Sequence, residues 1–133
     1  MLVLLLIEEN SIADLVLKEL RGADVSVVHY RDPLRVLDYI SEFEADALIV
    51  RQKDFPLHAQ ILAAMIRFYK PLQRCKMIVL GKDAPSFPSC TFIVEELFTK
   101  DPSMISSVLF GPNHANAHRG SRLVARAQRM VRD

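Results

Sequence analysis

Six consecutive apolar residues, Leu2 to Ile7, run straight into Glu8 and Glu9. That opening narrows the choice of fold more than any other stretch of the chain. A short, uniformly apolar run suits a strand covered on both faces, and such strands belong to parallel sheets flanked by helices. The run is too short to cross a bilayer. It also lacks the basic flank of a signal peptide. The residues after it keep the pattern. Ser11 is expected to cap a helix whose Ile12, Leu15, Val16 and Leu20 share a face, with Gly22 as its stop. Val25 to Tyr30 reads as a second strand, and Asp32-Pro33 as the start of a second helix with Val36, Leu37, Ile40 and Phe43 along its buried stripe. Asp46 to Val50 is a third strand. Leu57 to Tyr69 is a third helix, ending before Pro71, and Lys76 to Leu80 is a fourth strand closed by Gly81. Strands alternating with helices in this way predict a parallel sheet with helices on both faces.

Beyond Gly81 the rhythm falters. Pro85 and Pro88, with Ser86 and Ser89 around them, do not allow a full helix. The fourth helix is therefore expected to be eroded: short, displaced or missing. A brief strand near Leu97 to Thr99 and a helix from Pro102 to about Phe110 complete the domain, residues 1–110. Gly111-Pro112-Asn113 marks a boundary to a linker and a last helix, Ser121 to Arg132, within residues 111–133. At 133 residues the chain fits one domain with a real core. Cys75 and Cys90 are too few for a disulfide framework and read as reduced thiols. The expectation is a soluble, cytoplasmic protein.

In open parallel sheets ligands bind at the carboxyl ends of the strands. The residues falling there are Glu8, Glu9, Arg51, Gly81 and Lys100. Leu4-Leu5-Leu6-Ile7-Glu8-Glu9-Asn10 and Val94-Glu95-Glu96-Leu97-Phe98-Thr99-Lys100, in this order and at these places in the alternation, resemble the receiver domain of bacterial response regulators. The resemblance covers about residues 2 to 110. It implies a flavodoxin-like (CheY-like) five-stranded parallel sheet, here with an eroded fourth helix and a C-terminal extra helix.

The resemblance also implies a site. Receivers hold Mg²⁺ with an acidic pair after the first strand and accept a phosphoryl group on an aspartate after the third. A Ser or Thr follows the fourth strand, an aromatic lies on the fifth, and a lysine follows it. Glu8 and Glu9 match the acidic pair and Lys100 matches the lysine. Arg51 stands in place of the nucleophile, Gly81 in place of the hydroxyl, and Leu97 in place of the aromatic, so Gly81 and Leu97 are the altered switch positions. A guanidinium is permanently charged and cannot be the nucleophile. The expectation is a degenerate phosphorylation site in which Arg51 pairs with one of the two glutamates, with no cofactor, no metal and no catalysis. Asp54, three residues on, is the fallback acceptor and otherwise a solvated loop charge.

What remains for such a chain is binding. The face around the fourth helix, fifth strand and fifth helix is the usual dimer and partner surface of receivers. Here it spans Ser86 to Leu109, with Phe87, Cys90, Phe92, Phe98 and Met104 as its apolar members. The expected function is a phosphorylation-independent pseudo-receiver in bacterial two-component signalling or transcription control. Its expected partners are a protein or output domain, or a second copy in a homodimer.

The tail offers an alternative. Arg119, Arg122, Arg126, Arg129 and Arg132 recur at helical spacing and give residues 119–133 a local charge of +4, against +1 for the whole chain. A basic amphipathic helix of this kind suits nucleic acid or an anionic surface. Arg122-x-x-x-Arg126 also resembles the arginine pair that opens PilZ cyclic-dinucleotide domains. His114 and His118 have no third ligand nearby in the sequence, so a metal site is not expected there.

Overall fold

The computed structural model describes residues 1–42, 44–69, 72, 74–83, 90–111 and the backbone of 127–131. The chain begins β1 (Leu2–Leu6), α1 (Asn10–Leu20), β2 (Val25–Tyr30), α2 (Pro33–Glu42), β3 (Ala47–Arg51), α3 (Pro56–Phe68) and β4 (Lys76–Gly81). It continues with β5 (Cys90–Val94), α4 (Glu95–Lys100), α5 (Ser103–Phe110) and β6 (Ala127–Val131). All strand pairings are parallel, and the sheet order is β5-β4-β3-β1-β2-β6. The first five strands thus form the flavodoxin-like order 2-1-3-4-5 that the sequence pattern predicts.

The period of two along each strand builds two cores. Val3, Leu5 and Ile7 of the first strand and its exit turn, with Ala47 and Ile49 of β3, pack against α1, Phe98 of α4 and α5. Leu4, Leu6, Leu48 and Val50 point the other way, against α2 and α3. The central strands are covered on both sides, as their unbroken apolar character requires. Local signals hold as well. Asp32 Oδ1 accepts a hydrogen bond from the Leu34 amide at 3.0 Å at the start of α2. Gly22, just past α1, takes φ +89°, a conformation that favours glycine. Helix α1 differs in detail: it starts at Asn10, and its N-cap Glu9 makes no side-chain capping bond, so Ser11 is not the cap.

Three expectations need correction or restriction. The fifth strand is Cys90–Val94, and Leu97 to Thr99 lies in helix α4. Thr91, Ile93 and Val94 are β-branched and suit a strand. Glu95 and Glu96 favour the positive end of the helix that follows, and Lys100 favours its last turn. No helix is described between β4 and β5, where residues 84–89 lie outside the described residues.

The C-terminal segment is the third case, because Ala127–Val131 is not helical. It runs parallel to β2, from Val25↔Ala127 to His29↔Val131. The free edge of β2 offers a row of backbone donors and acceptors to an extended segment, whereas a short helix without a buried face gains little. The helical arginine stripe therefore does not hold as expected. Arg129 lies in β6, while Arg119, Arg122, Arg126 and Arg132 lie outside the described residues, as do His114 and His118.

Candidate functional site

At the carboxyl ends of β1, β3 and β5 a single guanidinium collects three carboxylates. Arg51 is the last residue of β3, and its side chain is only 7% exposed. Its Nε donates to Glu95 Oε1 at 2.6 Å and its Nη2 to Glu95 Oε2 at 2.8 Å, a two-pronged fit of guanidinium to carboxylate. Nη1 donates to Asp54 Oδ1 at 2.9 Å. Nη2 also lies 3.0 Å from Glu9 Oε2. The expected pairing of Arg51 with a glutamate after the first strand is therefore present, to Glu9, but it is one contact of four.

Each acid is placed by a different turn. Glu9 is the residue before α1, Asp54 lies in the turn from β3 to α3, and Glu95 opens α4 directly after β5. The Asp54 side chain, 11% exposed, does more than meet Arg51. Its Oδ2 accepts the backbone N–H of Glu8 at 2.9 Å and of Glu9 at 3.3 Å. Asp54 thus ties the β1–α1 turn to the β3–α3 turn, and it is not the solvated loop charge the sequence suggested. Arg51 is held more firmly protonated than a free arginine, chiefly by the hydrogen bonds to Glu95, with desolvation opposing and the charge of Asp54 adding.

Gly81 ends β4, between the ends of β3 and β5. A β-carbon there would lie 2.9 Å from Gln52 Cδ and 3.0 Å from Gln52 Cβ. The space that a hydroxyl-bearing side chain would need is taken by the side chain of Gln52, whose backbone N–H donates to Leu80 O at 2.7 Å. Beside this point opens a cleft of about 740 Å³, walled by Gln52, Lys53, Gly81, Lys82, Glu95 and Thr99 among others.

The other expected residues lie elsewhere. Lys100 is at the far end of α4, 71% exposed, with its Nζ 3.9 Å from Glu96 Oε1, and it does not enter the cluster. Glu8 contributes its backbone amide. Leu97 is half exposed on α4 and is not on β5. Of the apolar surface expected around β5, Phe98 is fully buried, and Met104 packs against the α1–α5 core. Cys90 and Phe92 pack against the α2–α3 core. Phe87 lies outside the described residues. The two acids that sequence reasoning left out of the cluster, Glu95 and Asp54, are the ones most tightly bound to Arg51. Placing the fifth strand at Cys90–Val94 would have put Glu95 at its carboxyl end.

No helix among the described residues is long and apolar enough to cross a membrane. Residues 1–93 match the TP_0454_N family, described as an N-terminal domain. None of the curated proteins and none of the solved structures matches the chain.

Proposed function

We propose that this chain, which belongs to the TP_0454_N family, is a pseudo-receiver: a non-enzymatic regulatory module in bacterial signalling that works through protein contacts without phosphorylation. The observation carrying this reading is the Arg51–Glu95 pair. The receiver resemblance implies an acid at the end of β3 and a lysine after β5. Here a base stands at the end of β3 and an acid directly after β5, so the signs of the two charges are exchanged, and in this chain they bridge the two strand ends directly. Arg51 occupies the place of a nucleophile it cannot replace, and Glu9 and Asp54 face its guanidinium instead of a metal ion. A bridge built from the protein's own charges holds the strand ends in one arrangement that needs no phosphoryl group.

A beryllofluoride–Mg²⁺ titration followed by backbone amide NMR tests this reading. Beryllofluoride mimics a phosphorylated aspartate and requires a free carboxylate together with the metal. The expected result is no saturable shift at Glu9, Arg51, Asp54 or Glu95. Saturable shifts centred on Asp54 overturn the reading and make the chain a phosphorylation switch with an atypical acceptor.

One observation favours a second reading for the C-terminal residues. Arg122-x-x-x-Arg126 is followed at once by an extended segment, Ala127–Val131. Together with the N-terminal-domain description of the family, this suits an arginine pair at the entrance of a following cyclic-dinucleotide-binding output domain. Calorimetric titration with cyclic di-GMP, on this chain and on one extended past Asp133, tests it. Binding by the extended chain that is lost in Arg122→Ala supports it, and no binding by either refutes it.

A further inference from the structure

Helix α3 is apolar on the side away from the sheet as well as on the side facing it. Ala59, Leu62, Ala63 and Ile66 are buried, while Leu57, Ile61 and Phe68 are 62%, 40% and 76% exposed. Ala64 is exposed too. Leu57, Ile61, Ala64 and Phe68 follow one another at intervals of four, three and four, the spacing of a helix–helix seam. A helix apolar on two opposite faces is normally covered on both. The helix carries no carboxylate, and its only permanent charge, Arg67, lies over the Phe68 ring, 5.3 Å from its centroid, at the end of the seam and away from its centre. Depletion of charge is what marks the centre of an interface.

We infer that α3 pairs with α3 of a second copy of this chain, antiparallel across a two-fold axis. The order of side-chain sizes along the seam selects this occupant. An axis between Ile61 and Ala64 sets Ile61 against the partner's Ala64 and Leu57 against the partner's Phe68. Small against large at the centre lets the two helices interlock closely. A parallel pairing in register sets Ala64 against itself and Phe68 against itself, leaving a gap in one layer and crowding another. The area is also sufficient. With Tyr69, which is 49% exposed, the apolar surface is on the order of 500 Å² per copy, so a pair covers about 1,000 Å², where specific interfaces begin. A patch of that extent is at the upper end of what a monomer leaves open. This pairing is independent of the pseudo-receiver reading, because its seam uses none of the Arg51 cluster.

Sedimentation equilibrium of the full chain across the micromolar range tests the pairing. The expected result is a monomer–dimer equilibrium that Ile61→Glu and Phe68→Glu each weaken about tenfold or more. Leu97→Glu, between the two in exposure but on α4, leaves it unchanged. Circular dichroism checks that each variant folds, and the two α3 variants stand in for each other if one does not. Orientation is read in a Cys90→Ser background. Leu57→Cys chains mixed with Phe68→Cys chains form a mixed disulfide, while neither forms one alone. A monomer at every concentration overturns the pairing, as does a dimer indifferent to both α3 charges. A Phe68→Cys chain that cross-links to itself overturns the antiparallel arrangement.

Discussion

Arg51 and Glu95 bridge two strand ends that are not neighbours. Strand β4 lies between β3 and β5, and it ends in Gly81, so the bridge passes an end that carries no side chain. The pair is 44 residues apart in sequence and joins the third β–α turn to the fifth. It is also well desolvated on the arginine side, so removing either partner leaves a charge poorly compensated.

Arg51→Met is accordingly expected to destabilise the fold by about 3–5 kcal/mol, because Asp54 and Glu95 lose their cation while largely buried. Arg51→Lys keeps the charge but not the two-pronged geometry, and it falls between. Urea denaturation of the three proteins gives the order directly. The charge-exchanged double variant Arg51→Asp with Glu95→Lys should be more stable than Arg51→Asp alone, since the single variant gathers four carboxylates.

Asp54→Ala should cost about 2–3 kcal/mol, because it orphans the amides of Glu8 and Glu9 as well as one prong of Arg51. Hydrogen exchange separates this effect from general loosening. The amides of residues 8 and 9 are expected to lose protection first, while those within β4 keep theirs.

Gly81→Ala tests whether glycine is held there by crowding. The added methyl meets Gln52, and the expected loss is about 1 kcal/mol. Truncating the neighbour should relieve it, so Gly81→Ala costs less in a Gln52→Ala background than in the wild type. Equal costs in both backgrounds would rule out the contact as the cause.

Cys75 is buried, and burial pushes its thiol up to about 12, with Asp46 adding to the effect; Cys90 is half-buried and raised less far by the same desolvation. Cys75 should therefore react with a thiol reagent only through unfolding, and Cys90 faster. The folded state holds the Cys75 proton more tightly than the unfolded chain does. Its contribution is fully present below the unfolded value near 9 and is lost as pH rises from about 9 to 12. A denaturant midpoint that falls over that interval, and falls less in Cys75→Ala, is the expected outcome.

The sequence by itself determined the parallel alternation through β4, the burial of β1 and β3, the starts of α2 and α5, and the permanent positive charge of Arg51 at the end of β3. Each is written locally, in a period of two or four, a proline, or one side chain whose charge cannot be removed. Only the tertiary structure decided which acids Arg51 meets. Glu9, Asp54 and Glu95 belong to three turns, and their meeting depends on strand order and on β5 ending at Val94. Lys100 looked right by spacing, but it was carried to the far end of a helix that the motif did not announce. The tail went the same way. Arginines at intervals of three and four fit a helix in isolation, whereas the free edge of β2 takes Ala127–Val131 as a strand. A chain's own pattern fixes its local period, but the partners of a strand end or a sheet edge are set by what the fold brings beside it.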